Sequence, residues 1–421
     1  MRIAATALAL VTLFGSLNGQ AAPPPCVITL GVVMELTGAA GSYGQAAAKA
    51  ADLAVEDLNA AAGAGECTFA TQVRDTQSSP TVAVDAANQL VTLHHVPVLI
   101  GGIISATTLP ILTAVTAPSR VVQISPAASS PRLTELGRAA KTGGLFVRTI
   151  TSDALQGTAA ARHAMDQHLG KVAVIYANND FGGGLAQEFV RAYEALGGQV
   201  LTLTPYNEHQ GSYQAEVTRT LATHPDSLYL VATPVDGATI ARAWIAAGGS
   251  RRLLLNDGMN SQDFIHAVGA KYLEQAFGTS SGTLPSASSQ YFAHAFRTRS
   301  HDDPESPAAD RSYDAAALAG LAVLAARTRD GAGIRTGLNR VTDPKGEVIH
   351  AGPDELRKAR RLLKAGQPIR YEGVIGAVSF DAAGDISGPF RLWRIEHGVV
   401  RTMGELSADD VAALRARAGH R

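Results

Sequence analysis

Short apolar runs and helical apolar stripes alternate along most of the chain. Ile28–Val33 is the first run. After a loop at Gly38–Gly44, Ala47, Ala50, Leu53, Ala54, Asp57 and Leu58 recur at helical spacing until Gly63 stops them. Val96–Ile100 and Val121–Ile124 repeat the strand pattern, each running into a loop of small residues. The alternation restarts after Thr149. Helices are predicted at Leu155–Leu169, Leu185–Leu196, Tyr213–Thr223 and Ala238–Ala247, with strands at Val172–Tyr176, Val200–Leu203, Leu228–Val231 and Leu253–Leu255. Parallel strands need crossover connections, so this order predicts parallel sheets with helices on both faces. Two successive series predict two α/β lobes. An eight-fold barrel is the alternative, but the alternation lapses after Gly278.

Beyond Gly278 the spacing predicts helices at Ser289–Arg299 and Asp310–Arg329, then a polar stretch through Gly331, Gly333 and Gly337. A basic helix, Glu355–Ala365, follows, and Val378–Asp381 with Phe390–Ile395 reads as a hairpin-like pair. Ser407 and Asp410 suit a capping box for a last helix, Ala408–Ala418.

At the other end, Arg2 precedes an apolar run, Ile3–Phe14, then small and polar residues up to Ala21-Ala22. That order reads as a secretory signal peptide, residues 1–21, cleaved after Ala21; a buried N-terminal helix is the alternative. The run is too short to span a bilayer, and no other apolar run approaches the required length, so an exported, soluble protein is expected. Export changes the reading of Cys26 and Cys67, the chain's 2 cysteines. In an oxidising compartment they are expected to pair, each sitting just before a strand; two unlinked buried thiols are the alternative.

Composition narrows the chemistry. With 36 basic and 37 acidic residues the net charge is −1, which leaves no electrostatic footprint for nucleic acid or an anionic membrane. Hydrophobic residues make up 46% and charged ones 17%, which excludes disorder and implies a large core. The basic helix is then read as a solvated face over Leu356, Leu362 and Leu363. Gly278-Thr279-Ser280-Ser281-Gly282 has nucleophile-elbow spacing, but Pro285 interrupts the helix that an elbow requires, so a secreted serine hydrolase using Ser280 stays a minor alternative. The histidines form no ligand set, and no loop matches the phosphate-cradling spacing, so neither metal nor cofactor is expected.

Loops of small hydroxyl residues stand where strands end: Ser105-Ala106-Thr107-Thr108 and Ser125 to Ser130 with Ser129 near its end. Hydroxyls and free N–H groups at helix starts suit a carboxylate, although such residues also serve simply as caps. Open α/β sheets bind ligands beyond the carboxyl ends of their strands. Asp257-Gly258 follows a later strand, and a carboxylate clamp facing Asp257 matches a zwitterionic α-amino acid.

With these loops in place, residues 27–400 resemble the periplasmic amino-acid-binding proteins of the leucine/isoleucine/valine type, which feed ABC importers. The resemblance rests on Gly38–Gly44 before the long first helix, Ile100–Pro110, Ile124–Thr134, Tyr176–Ala186, Asp257-Gly258, Tyr313-Asp314-Ala315 and Tyr371–Gly376 before Phe380-Asp381. It implies a type I periplasmic binding protein: two Rossmann-like lobes, closing like a flytrap on three crossovers near Arg148–Ser152, Ser280–Thr283 and Gly376–Ser379. Lobe 1 would comprise 26–148 and 284–375, lobe 2 152–279 and 380–400, and a helical tail 401–421. By position the resemblance assigns Ser105 and Ser129 to the ligand carboxylate, and the Ala127 carbonyl with Asp257 to the ammonium. It assigns Tyr43, Phe181, Thr233 and Tyr313 to the side-chain pocket. Phe181 and Thr233 stand where the leucine-type pattern has tyrosines. The implied role is a monomeric, non-enzymatic, periplasmic solute-binding protein that docks on a membrane permease. A sensor of the same fold for amides or aromatic acids is the alternative.

Overall fold

The computed structural model describes residues 26–283 and 285–419. Its first sheet contains β1 (Val27–Met34), β2 (Thr68–Asp75), β3 (Val98–Gly101), β4 (Val122–Ser125) and β5 (Phe146–Arg148), all parallel, in the order β2-β1-β3-β4-β5. Every residue of β3 and β4 is buried; β3 reads as an apolar run, while in β4 the buried Gln123 and Ser125 side chains donate to the Gly101 and Gly102 carbonyls. One face packs Leu30, Val32 and Ile100 against Leu53 and Leu58 of the helix Gly41–Ala60 and Leu318 and Leu321 of the helix Ala309–Ala326. Val33 and Leu99 on the other face meet Leu90 and Ile111.

The second sheet is built on β6 (Lys171–Ala177), β7 (Gln199–Tyr206), β8 (Ser227–Val231), β9 (Leu253–Leu255) and β10 (Phe277–Ser281), again parallel. The chain then returns to the first core, where β11 (Glu347–Ile349), β12 (Ile369–Gly373) and β13 (Gly376–Ala377) form a small sheet whose Ile349, Ile369 and Tyr371 join that core. It ends with β14 (Phe390–Glu396) and β15 (Val399–Leu406), which extend the second sheet antiparallel to the order β15-β14-β10-β9-β8-β6-β7. The result is two α/β lobes, each with its own core on both sheet faces.

Several sequence expectations change. The hairpin is β14 with β15, not Val378–Asp381 with Phe390–Ile395; β14 finds its other partner in β10. The glycine-rich stretch is a helix, Gly331–Val341, because Ile334, Leu338 and Val341 share a buried face and Gly337 lies so close to Ala322 that a Cβ would meet its carbonyl at 2.2 Å. Residue 401 falls inside β15, so the expected tail boundary is too early. The terminal helix Ala408–Gly419 starts at the capping box, with the Asp410 N–H donating to Ser407 Oγ at 3.1 Å. Val411 of that helix is buried beside Ala159 and Phe390.

Cys26 and Cys67 form a disulfide with Cα atoms 4.5 Å apart, directly before the paired residues Val27 and Thr68 of β1 and β2. The signal-peptide reading, residues 1–21, lies outside the described residues. No described helix is long and apolar enough to cross a membrane.

The segments between lobes converge. Thr151 makes a parallel bridge with Ile386, and its hydroxyl meets that of Ser281. Arg148, fully buried, donates through Nε to Asp385 Oδ1 at 2.7 Å and so ties the first crossover to the third, which runs further than Gly376–Ser379.

Candidate functional site

The loop after β3 is shaped by what lies beneath it. Gly101 has φ +128, and a Cβ there would fall 1.9 Å from the Val33 carbonyl, so only glycine fits. Glu35, buried at the end of β1, accepts the Ile103 N–H at 2.9 Å and the Thr107 hydroxyl. Burial raises its carboxyl, and those bonds pull the other way. Thr108 and Ser125 both donate to the Gly102 carbonyl, at 3.0 and 2.7 Å. Ser105 Oγ accepts the Ser130 N–H at 3.1 Å. A hydroxyl has one proton and two lone pairs, so Ser105, whose proton has no acceptor among the described residues, can donate into the cleft.

Behind Ser129 lies a buried carboxyl, with Asp257 of the other lobe nearby. Asp153 is fully buried at the start of the helix Asp153–Asp166; its Oδ2 accepts the Ser129 hydroxyl at 2.8 Å, and its N–H donates to the Ser129 carbonyl at 2.8 Å. Gln156, one turn on, donates to Asp257 Oδ1 at 3.2 Å and to the Thr279 carbonyl at 3.3 Å. Burial holds Asp153 well above the usual carboxylate range, and the Asp257 charge raises it further. Tyr229 behind them is pushed up first by burial, then by both carboxylates. Asp153 Oδ1, Gln156 Oε1, Tyr229 Oη and Thr279 Oγ1 are buried without partners among the described residues. Buried polar atoms left unpaired cost free energy.

Between these ends lies a cavity of about 480 Å³ lined by Tyr43, Ser105, Ala127, Ser129, Phe181, Thr233 and Asp257. Apart from Tyr313, the residues that the sequence nominated for the ligand therefore meet in one place. The periplasmic binding protein family model matches residues 27–392. The chain belongs to that family. It is 26% identical over 363 residues to the chemotactic signal transduction system substrate-binding protein BasB of Halobacterium salinarum, covering 85% of this chain and 84% of that one. It is 25% identical over 395 residues to Leu/Ile/Val-binding protein homolog 3 of Brucella melitensis, covering 92% and 96%. Among solved structures it is similar to the branched-chain amino acid transporter substrate binding protein LivJ of Streptococcus pneumoniae, in complex with isoleucine. There the TM-score is 0.74 with 21% identity, covering 90% of this chain and 99% of that one.

A periplasmic binding protein is an extracytoplasmic solute-binding protein and not an enzyme. No helix follows Ser280 directly: Gly282 donates to the Pro389 carbonyl at 2.7 Å, and the next helix starts at Ala287.

Two assignments by position change in the structure. Tyr313 is buried in the first core, where its hydroxyl donates to Asp57 Oδ2 at 2.5 Å and accepts the Gly352 N–H at 3.1 Å. It lies inside lobe 1 because its helix is buried nearly all round, and Tyr313 faces the helix Gly41–Ala60. Ser129 lines the cavity, but its proton goes to Asp153, so its lone pairs rather than its proton face a ligand.

Three residues that sequence reasoning passed over complete the site: Asp153, Gln156 and Arg148. Arg148 Nη1 donates to the carbonyls of Ala128 and Ser130 at 3.0 and 3.1 Å, and Nη2 to Thr134 Oγ1 at 2.8 Å. It thereby fixes the loop that presents Ala127 and Ser129. Polar residues at a strand end or a helix start read as caps; only the spacing Asp153-x-x-Gln156, one helical face, hinted otherwise.

The lobes touch at the cleft rim. The Tyr43 hydroxyl donates to the Gly258 carbonyl, Ser130 Oγ donates to the Asp180 carbonyl at 3.0 Å, and Gly184 sits where a Cβ would be 2.7 Å from Pro131.

Proposed function

We propose that this periplasmic binding protein captures an α-amino acid in the cleft and delivers it to the permease of an ABC importer. The opposed ends of the cavity carry the reading. Ser105 suits the ligand carboxylate, while Asp257 and the Ser129 oxygen on the cavity wall, the latter backed by buried Asp153, suit its ammonium. Such charge-assisted bonds, shielded from water, are made in full only when both lobes contribute, so ligand favours the closed form. Tyr43, Phe181 and Thr233 border the space left for the side chain. Similarity to a Leu/Ile/Val-binding protein homolog and to the isoleucine complex of LivJ supports an amino acid as cargo. Residues 1–21 act, on this reading, as the cleaved export signal to the periplasm, and the protein works as a monomer.

Isothermal titration calorimetry across the standard amino acids tests the proposal. The best ligand should bind Asp257→Ala at least about tenfold more weakly, a loss of roughly 1.4 kcal/mol. Unchanged affinity overturns the assignment. A signalling role for the same binding step is the second reading, favoured by the similarity to the chemotactic protein BasB. Loss of amino-acid uptake on gene deletion separates import from signalling.

A further inference from the structure

The cavity changes character along its length. Its volume of about 480 Å³ falls in the roughly 300–1,000 Å³ range of pockets that take drug-sized ligands. Its outer part lies away from Ser105 and Asp257, between the helix Ala287–Ser300, the turn at residues 304–308 and the start of β14. Pro304 and Pro307 stiffen that turn, and Ala308 leaves it with φ +68. Small side chains, Ala293 and Ser306, keep the space open.

Arginines dominate this outer end, and they are not equivalent. Arg311 is spoken for, with Nη1 on both oxygens of Asp310 at 2.8 and 2.7 Å and Nη2 on the Ser281 carbonyl at 3.0 Å. Arg391 stands 3.6 Å from Glu305, which it neutralises. Arg297, an exposed side chain at the cavity mouth, lines the same cavity and has no acidic partner within 4 Å among the described residues. The inner end is thus acidic and the outer end carries an uncompensated cation.

We propose that the outer half of the cleft is a second subsite, in which Arg297 receives a carboxylate at the far end of the ligand. The ligand is then an α-amino acid with a long side chain that ends in an acid, such as an amino dicarboxylic acid or a γ-glutamyl conjugate. This rests on the amino-acid reading of the inner end. A guanidinium fork matches a carboxylate in two bonds, and Gln290, two turns earlier on the same helix, also lines the cavity.

Calorimetry on the processed protein decides it, with L-leucine, L-2-aminopimelate and γ-L-glutamylglycine as probes. The two diacids should bind about tenfold or more tightly than leucine. Arg297→Ala should remove that advantage without changing leucine affinity, and Arg297→Lys should restore part of it. Leucine binding as tightly as the diacids, or a diacid advantage that survives Arg297→Ala, overturns the subsite while leaving the amino-acid reading intact. Silence from every probe and every standard amino acid overturns both.

Discussion

Burial and the charge of Asp257 raise the Asp153 carboxyl well above the usual carboxylate range, one hydrogen bond behind Ser129 and the wall where a ligand ammonium is proposed to arrive. A cation there stabilises the carboxylate, so ligand binding should expel a proton. Calorimetry in two buffers of different ionisation enthalpy should show that release, affinity should fall as the pH is lowered, and Asp153→Asn should abolish both effects. Proton-neutral binding in the unaltered protein contradicts the role. His163 gives an independent pH signature. Burial against Phe277 lowers its imidazole to about 4, whereas an unfolded histidine titrates near 6.5. The unfolded chain therefore takes up the proton first; the stability from a neutral His163 is complete above about pH 6.5 and is lost as the pH falls towards 4. The loss is up to about 3 kcal/mol, and His163→Gln should flatten it in urea midpoints compared between pH 7 and pH 5.

Elements set the distance between lobes. Gly184, on the helix Asp180–Ala195, lies against Pro131 at the start of the helix Pro131–Arg138. A bulkier residue there meets Pro131 only where the lobes approach, so Gly184→Val should weaken ligand binding by about tenfold while the melting temperature of the free protein holds. Equal affinity in calorimetry would show that the lobes do not close along these helices. The β1–β2 pair carries a second prediction. The disulfide closes a 41-residue separation, so Cys26→Ser with Cys67→Ser should cost up to about 4 kcal/mol, read as a shifted denaturant midpoint with ligand affinity retained. Breaking the buried Arg148–Asp385 pair reaches further. Arg148→Met should cost about 3–5 kcal/mol and also weaken binding, since the Ala128 and Ser130 carbonyls lose their anchor.

Across the whole molecule, legibility followed burial. Strands such as β8 and β9, buried at every residue, appear as plain apolar runs, and strand–helix alternation led directly to two parallel lobes. The helix Gly331–Val341 was hidden because its close approach to Ala322 requires glycine, which reads as loop. Ser105 and Asp257 were visible as small or acidic residues at strand ends. Asp153, Gln156 and Arg148 were not, since local sequence gives each a capping or surface role and only tertiary folding sets Asp153 and Gln156 beside Asp257. Tyr313 went astray for the converse reason: position along the chain cannot tell which face of an all-buried helix meets the cleft and which meets another helix.

The cleft is proposed to read a carboxylate at Ser105 in lobe 1 and an ammonium at Asp257 in lobe 2, with the Ser129 oxygen of lobe 1 beside the ammonium. Calorimetry with the tightest-binding amino acid, its decarboxylated amine and its deaminated acid measures that directly. Both truncated compounds should bind at least about a hundredfold more weakly, roughly 2.7 kcal/mol. Retention of full affinity by either one would contradict it.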